Sequence, residues 1–207
     1  MILARVEAQN VRNIETAGVD LSPGLNVLSG GNGAGKTAFL EAVHLLLRGR
    51  SFRTRAIETI IRGDGDTLTI RAVIRDPLLG ESSIGLIKDR KKNTQLRRDG
   101  ATVTNASEVA GLLPVQLLLP DLANLVFGPP LHRRQWLYWG TFHVKHGYLA
   151  TLRDYLRAIR QRNAALRGDD QATIGLWGEQ AGELGERVTA ARDEYLDCLL
   201  YTSPSPR

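Results

Sequence analysis

Gly30-Gly31-Asn32-Gly33-Ala34-Gly35-Lys36-Thr37 is the most informative segment of this 207-residue chain. It matches G-x-x-x-x-G-K-[ST], and its surroundings agree with the match. The apolar residues 25–28 lead in as a strand. Ala38, Phe39, Leu40, Ala42, Val43, Leu45, Leu46 and Leu47 lead out as a helix apolar enough to be buried, ending at Gly49. Glycines let the backbone turn back so that successive N–H groups converge on phosphate oxygens, and the start of the following helix adds its positive dipole end. Lys36 then serves the β- and γ-phosphates as a point charge, and Thr37 offers its hydroxyl to Mg²⁺. Gly30, Gly31, Asn32, Gly33, Ala34, Gly35, Lys36 and Thr37 are therefore expected to bind nucleotide, with Lys36 and Thr37 as the chemically active pair. The loop alone does not separate ATP from GTP.

Outward from the loop, residues 2–9 and 15–21 read as strands, and Ser22-Pro23-Gly24 as a turn placing them beside the strand at 25–28. From 67 to 98 the pattern alternates, with Leu68, Ile70, Ala72 and Ile74 on one face, then Ile84 and Leu86, and Asp99-Gly100 as a hairpin turn. This is an antiparallel region. Asn105 followed by Glu108 predicts a capped short helix, residues 114–119 a buried strand, and Pro120-Asp121 the start of another helical segment. Beyond Gly128-Pro129-Pro130 come helices over 131–142, 148–167 and roughly 174–200. In the second, Leu149, Leu152, Leu156 and Ile159 form a one-sided stripe. Residues 201–207, a Ser-Pro run without apolar period, read as a disordered or foreign tail.

Composition sets limits. Lys and Arg total 27 against 22 Asp and Glu, a net charge of +5 that favours polyanionic partners. The single Cys198 excludes an internal disulfide framework, and no segment is an uninterrupted apolar span or a leader, so a cytoplasmic protein without membrane attachment is expected. Lys88, Arg90, Lys91, Lys92, Arg97 and Arg98 crowd one hairpin, and Arg50, Arg53, Arg55 and Arg62 follow the P-loop helix. Such density suits a phosphate backbone, while lysines at a sheet edge also block unwanted strand pairing; both readings stay open. His44, His132, His143 and His146 lack metal-ligand spacing, and Trp136, Trp139 and Trp177 read as packing residues.

Several segments together resemble one family. Val11-Arg12-Asn13-Ile14 stands where the RecF family has an F-R-N-Y-like element, and the loop itself is similar to the family's G-x-N-G-x-G-K-T variant. Leu40-Glu41-Ala42, Gly49-Arg50-Ser51-Phe52-Arg53-Thr54, Gly128-Pro129-Pro130 with Arg133-Arg134, and Gln161-Arg162-Asn163-Ala164-Ala165-Leu166 follow in family order, over about residues 1 to 170. Tyr138 departs from the family, which has Asp in the corresponding R-R-x-x-L-D element.

The resemblance implies an α/β P-loop NTPase of ABC/SMC head type, with a mixed sheet around the P-loop, an antiparallel β portion and a helical second lobe. Residues 1–130 would form the ATPase lobe, 131–200 an incomplete helical lobe, and 201–207 the tail. It implies ATP and Mg²⁺ as cofactors, Arg12 near the nucleotide, and DNA contacts at Arg53, Arg55 and Arg62, to which the charge of the hairpin adds Lys91 and Lys92. It implies a clamp for single-stranded or gapped duplex DNA that forms an ATP-dependent homodimer and works with RecR- and RecO-like mediators to load recombinase in repair, replication restart and the SOS response. The signature and Walker B motifs of that family are absent before Arg207, so the chain reads as an N-terminal fragment that binds nucleotide weakly at best without turning it over. The rival readings are an SMC-like repair head, a membrane-transporter ATPase subunit and a small-molecule kinase.

Overall fold

The computed structural model describes residues 1–63, 65–119, 123–168 and 170–202. Two compact units divide the chain, Met1–Leu117 and Leu118–Arg207. The expected helix start at Pro120-Asp121 and most of the expected tail lie outside the described residues.

The first unit is built on strands β1 (Ile2–Val11), β2 (Ile14–Asp20), β3 (Thr67–Asp76), β4 (Gly80–Asp89), β5 (Thr94–Arg98) and β6 (Ala101–Val103), in the order β2-β1-β3-β4-β5-β6. Every pairing of these strands is antiparallel. Side chains alternate across a strand, so the period-two pattern assigns faces directly: Leu68, Ile70, Ala72 and Ile74 are all buried, as are Val6, Ala8, Ile84, Leu86 and Leu96. Helix α1 (Lys36–Arg48) lies against β1 and β3 and adds Phe39, Ala42, Leu45 and Leu46 to the same core. Burying an aliphatic side chain of this size contributes about 1.5–3 kcal/mol. Gly49 ends α1 in the left-handed region at φ 71, its N–H bonded to the Leu45 carbonyl, which is the role glycine serves at a helix C-terminus. At the other end of the unit Asp99 and Gly100, at φ 50 and 82, make the predicted tight turn. Helix α2 (Ala106–Leu112) starts at Asn105, whose side chain accepts from the Ser107 N–H at 3.2 Å.

Two predicted strands are corrected. Residues 25–28 and 114–119 carry no strand, and Leu25 and Val27 are 88% and 76% exposed. An apolar run becomes a strand only where a neighbour receives its N–H and C=O groups. Among the described residues the strand ladder β2-β1-β3-β4-β5-β6 includes neither segment. The expected mixed sheet is correspondingly absent among them, since its parallel part would start at 25–28.

The second unit is helical: α3 (Ala123–Phe127), α4 (Pro130–Val144), α5 (Tyr148–Gly168) and α6 (Gln171–Thr202). Residues 125–128 join these helices because the Arg133 guanidinium donates to the carbonyls of Leu125, Val126 and Gly128 at 3.3, 3.1 and 3.0 Å. A cation at the start of α4 thereby serves the negative C-terminal end of α3. The apolar stripe of α5 is rotated from the expected one: Tyr148, Leu152, Ala158 and Ala165 are buried, whereas Leu156 is 43% exposed. Its partner α6 decides this. Gly185 leaves room for the Tyr155 ring, which a Cβ there would meet at 3.3 Å, and small residues on both helices permit close approach. Tyr138, standing in place of the expected carboxylate, lies under the Arg192 guanidinium at 4.5 Å from the ring centroid, while Arg192 also donates to the Tyr148 hydroxyl at 3.0 Å.

Candidate nucleotide site and its basic surroundings

The loop at 30–37 owes its shape to positive φ at Gly30, Gly33 and Gly35 (149, 82 and 90). Gly35 is the tightest position. A Cβ there would meet Ile14 Cγ1 at 3.2 Å in a backbone conformation that side chains resist. No side chain caps the start of α1, so the N–H groups of its first turn remain available to an anion. Lys36, the first residue of α1, folds back over the loop and donates to the Gly30 and Gly31 carbonyls at 2.6 and 2.7 Å. Thr37 follows on the exposed side. All eight loop residues are thus gathered at one helix start, as the sequence predicts.

The turn joining β1 to β2 braces the loop. Asn13 donates its side-chain amide to the Gly33 carbonyl, and Ile14 packs against Gly35. Arg12, which the resemblance places near the nucleotide, makes its side-chain contacts to α1 and to Thr59. Its backbone takes φ 56, fixed by an N–H bond to Ile60 O, and its guanidinium forks onto Glu41 with both contacts at 2.9 Å while donating to Thr59 O at 2.7 Å. The side chain is thus held by α1.

Glu41 is the group the motif reading left without a role. It lies one turn after Thr37, is 0% exposed, and also accepts from the Ser51 hydroxyl, with Arg53 at 3.7 Å. Burial pushes its carboxyl up, but hydrogen bonds from Arg12 and Ser51 and the charges of Arg12 and Arg53 outweigh this and leave it below the usual range. The sequence signal was a lone carboxylate on the apolar stripe of α1. His44, one turn further, donates from Nδ1 to Arg50 O at 2.7 Å and meets the Phe52 ring edge-on; burial foremost lowers its pKa. Ser51 then accepts from the Arg53 and Thr54 N–H groups, completing a tightly held loop at 49–54.

Tertiary structure brings the Lys88–Lys92 part of the hairpin beside residues 49–65. Lys88 donates to Gly49 O at 3.1 Å, and Arg90 donates to Gly65 O at 2.8 Å and to Gly63 O. The hairpin between β4 and β5 is thereby fastened beside residues 49–65. Lys88 and Arg90 are consumed in this fastening, which leaves Lys91 and Lys92 exposed with Arg53 and Arg55. Arg62 shares the region, 3.5 Å from Glu15. Among the described residues no helix is long and apolar enough to cross a membrane, and no three His, Cys, Asp or Glu side chains gather as a metal cluster.

Comparison with known proteins agrees with this geometry. A family profile described as an AAA domain matches residues 5–113. The DNA replication and repair protein RecF of Shewanella baltica is 37% identical over 200 residues, covering 96% of this chain and 55% of that protein. The RecF of Edwardsiella ictaluri is 38% identical over 96% of this chain and 56% of its own length. The chain spans about half the length of these curated relatives. Among solved structures, the recombination mediator RecF with ATP superposes with a TM-score of 0.85 at 24% identity, over 95% of this chain and 54% of that one. The Smc head domain of Pyrococcus furiosus gives 0.57 at 15% identity, over 96% and 58%. These likenesses fix the fold as a RecF/SMC-type P-loop head.

Proposed function

Because the chain belongs to the RecF family, whose N-terminal portion it matches, we propose that it is the nucleotide-binding part of an ATP-dependent DNA-binding protein of recombinational repair and replication. The observation that carries this reading is the loop at 30–37: three positive-φ glycines, an uncapped helix start, and Lys36 poised on neutral carbonyls. A phosphate, being charged, is the stronger acceptor for that ammonium. The loop fits ATP, with Lys36 reaching the β- and γ-phosphates. Thr37 fits Mg²⁺ as a hard oxygen ligand beside phosphate oxygens and water. The metal would neutralise phosphate charge, and the chain's own contribution is to hold the phosphates in a fixed cradle.

In this reading residues 1–130 carry the ATPase lobe and 131–200 a helical lobe, and Arg12 acts on the loop through Glu41 and its neighbour Asn13. Arg53, Arg55, Arg62, Lys91 and Lys92 form the DNA-facing edge, supported by their convergence beside the fastened hairpin. The reading extends to gapped or single-stranded DNA as ligand, an ATP-dependent homodimer, RecR- and RecO-like mediators as partners, recombinase loading and a cytoplasmic setting, and the likeness to RecF supports it.

The test is a titration of the purified chain with a fluorescent ATP analogue and Mg²⁺, beside a salt series of oligonucleotide binding. Binding of the analogue that Lys36→Ala removes, and DNA affinity that weakens steeply with salt and drops on neutralising Arg55, Lys91 and Lys92 together, are expected. Analogue binding indifferent to Lys36→Ala would refute the nucleotide reading, and DNA affinity indifferent to salt would refute the second.

A further inference from the structure

Resting on the nucleic-acid part of that reading, we propose that the solvent face of the sheet carries a separate phosphate site for a nucleic-acid backbone, in the trough above Gly85 between Arg71 and Arg97. The strand registers place Gly18, Glu7, Arg71, Gly85, Arg97 and Thr102 in one row across all six strands. Arg71 lies between the buried Ile70 and Ala72, so it projects to the face opposite the core. Gly85 gives the row its gap. A Cβ there would meet nothing nearer than Ile70 O at 3.9 Å, so no steric demand requires glycine, and its missing side chain opens a cavity of about 280 Å³ lined by both arginines.

Charge on this face is unevenly satisfied. Arg5 pairs with Glu7 at 2.9 Å and with Asp20 at 2.7 Å. Asp99 accepts from Ser82 Oγ at 2.8 Å and from the Ser83 N–H at 2.6 Å, with Arg98 at 3.6 Å. The acids bordering the trough are thus engaged. Arg71 and Arg97 make no ion pair or side-chain hydrogen bond among the described residues, and both are exposed. They stand two strand spacings apart, roughly 9.5 Å, with only glycine between them. Two guanidinium forks facing one gap suit a tetrahedral anion that accepts from both sides. The trough is open to solvent on one side rather than enclosed. That geometry suits a polymer passing through more than a small anion held against water.

The experiment is fluorescence anisotropy of the full chain with a labelled 20-nucleotide single strand and the matching duplex, over a salt series, for wild type, Arg71→Ala, Arg97→Ala and Gly85→Leu. Each contact contributes about 0.9 to the duplex salt slope and 0.7 to the single-strand slope, so its loss weakens duplex binding roughly eightfold at 0.1 M salt relative to 1 M. Each arginine variant should show that loss. Gly85→Leu changes no charge and fills the trough, so it should weaken binding comparably while its circular dichroism and ATP-analogue binding stay those of wild type. If Gly85→Leu does not fold, the two arginine variants, both at exposed positions, decide alone. Wild-type affinity in the variants overturns the site and leaves the basic-edge reading standing, whereas a wild-type chain that binds no oligonucleotide overturns both. If the variants weaken binding of labelled polyglutamate as much as of DNA, the site takes carboxylates and the phosphate assignment is wrong.

Discussion

Replacing Glu41 tests the most interdependent part of the structure. Its carboxylate is fully buried and receives two Arg12 contacts at 2.9 Å and the Ser51 hydroxyl, with Arg53 at 3.7 Å. Glu41→Ala removes the acceptor and strands the Arg12 guanidinium, whose side chain is only 20% exposed. Breaking one half of a buried pair costs about 3–5 kcal/mol, a large share of the 5–15 kcal/mol that stabilises a typical domain. Glu41→Gln keeps one oxygen acceptor but loses the charge, and should cost about 1.5–3 kcal/mol, the range for a hydrogen bond to a charged group. Replacing both partners with apolar side chains, Arg12→Met with Glu41→Leu, should cost less than Glu41→Ala alone, because no charge is then left without its partner. Urea unfolding followed by circular dichroism measures all three, and the single variants Arg12→Met and Glu41→Leu close a double-mutant cycle with the double variant. The sign with pH is also fixed. The folded carboxyl lies below its unfolded value of 4.5, so its contribution is present above about pH 4.5 and disappears as pH falls through the folded value. A Glu41→Ala cost under about 1 kcal/mol, or a near-zero coupling energy with Arg12, would refute the buried-pair account.

Other outcomes follow from single contacts. Gly35→Val should lower ATP-analogue affinity and stability together, since the left-handed backbone alone costs about 1–2 kcal/mol and the new side chain collides with Ile14; unchanged analogue binding would show the loop is not so constrained. Burial lowers the His44 pKa, so the unfolded chain takes up a proton first on acidification: stability should fall as pH drops from about 6.5 through the folded value, by up to about 1.4 kcal/mol per pH unit. His44→Gln should flatten that slope in urea midpoints, and an identical slope would acquit His44. In the helical unit, Gly140→Ala should destabilise by about 1–3 kcal/mol, because its Cβ would enter the Tyr195 ring; a Tyr195→Ala background should relieve the loss in thermal melts.

Elements whose cause is local were legible in the sequence. Alternation fixed the faces of β3 and β4, Gly49 the end of α1, Asp99-Gly100 the hairpin, and the glycine spacing the anion cradle at the start of α1. These depend on backbone conformations and periodicities that a dozen residues set among themselves. The apolar runs at 25–28 and 114–119 did not become strands, because strand formation is settled by a pairing partner distant in sequence. The buried face of α5 turned toward Tyr148, Leu152 and Ala158 because α6 supplies Gly185 where Tyr155 needs space. Arg12 illustrates the same limit at the site: its motif places it beside the loop, but Glu41, 29 positions away, decides where its charge goes. The convergence of residues 49–65 with the β4–β5 hairpin, and the row from Arg71 to Arg97, exist only once strand register is set. Residue identity and spacing set which groups could meet a phosphate. Tertiary structure decided which of them were already spent on one another, because a charge's partner is chosen by proximity in space.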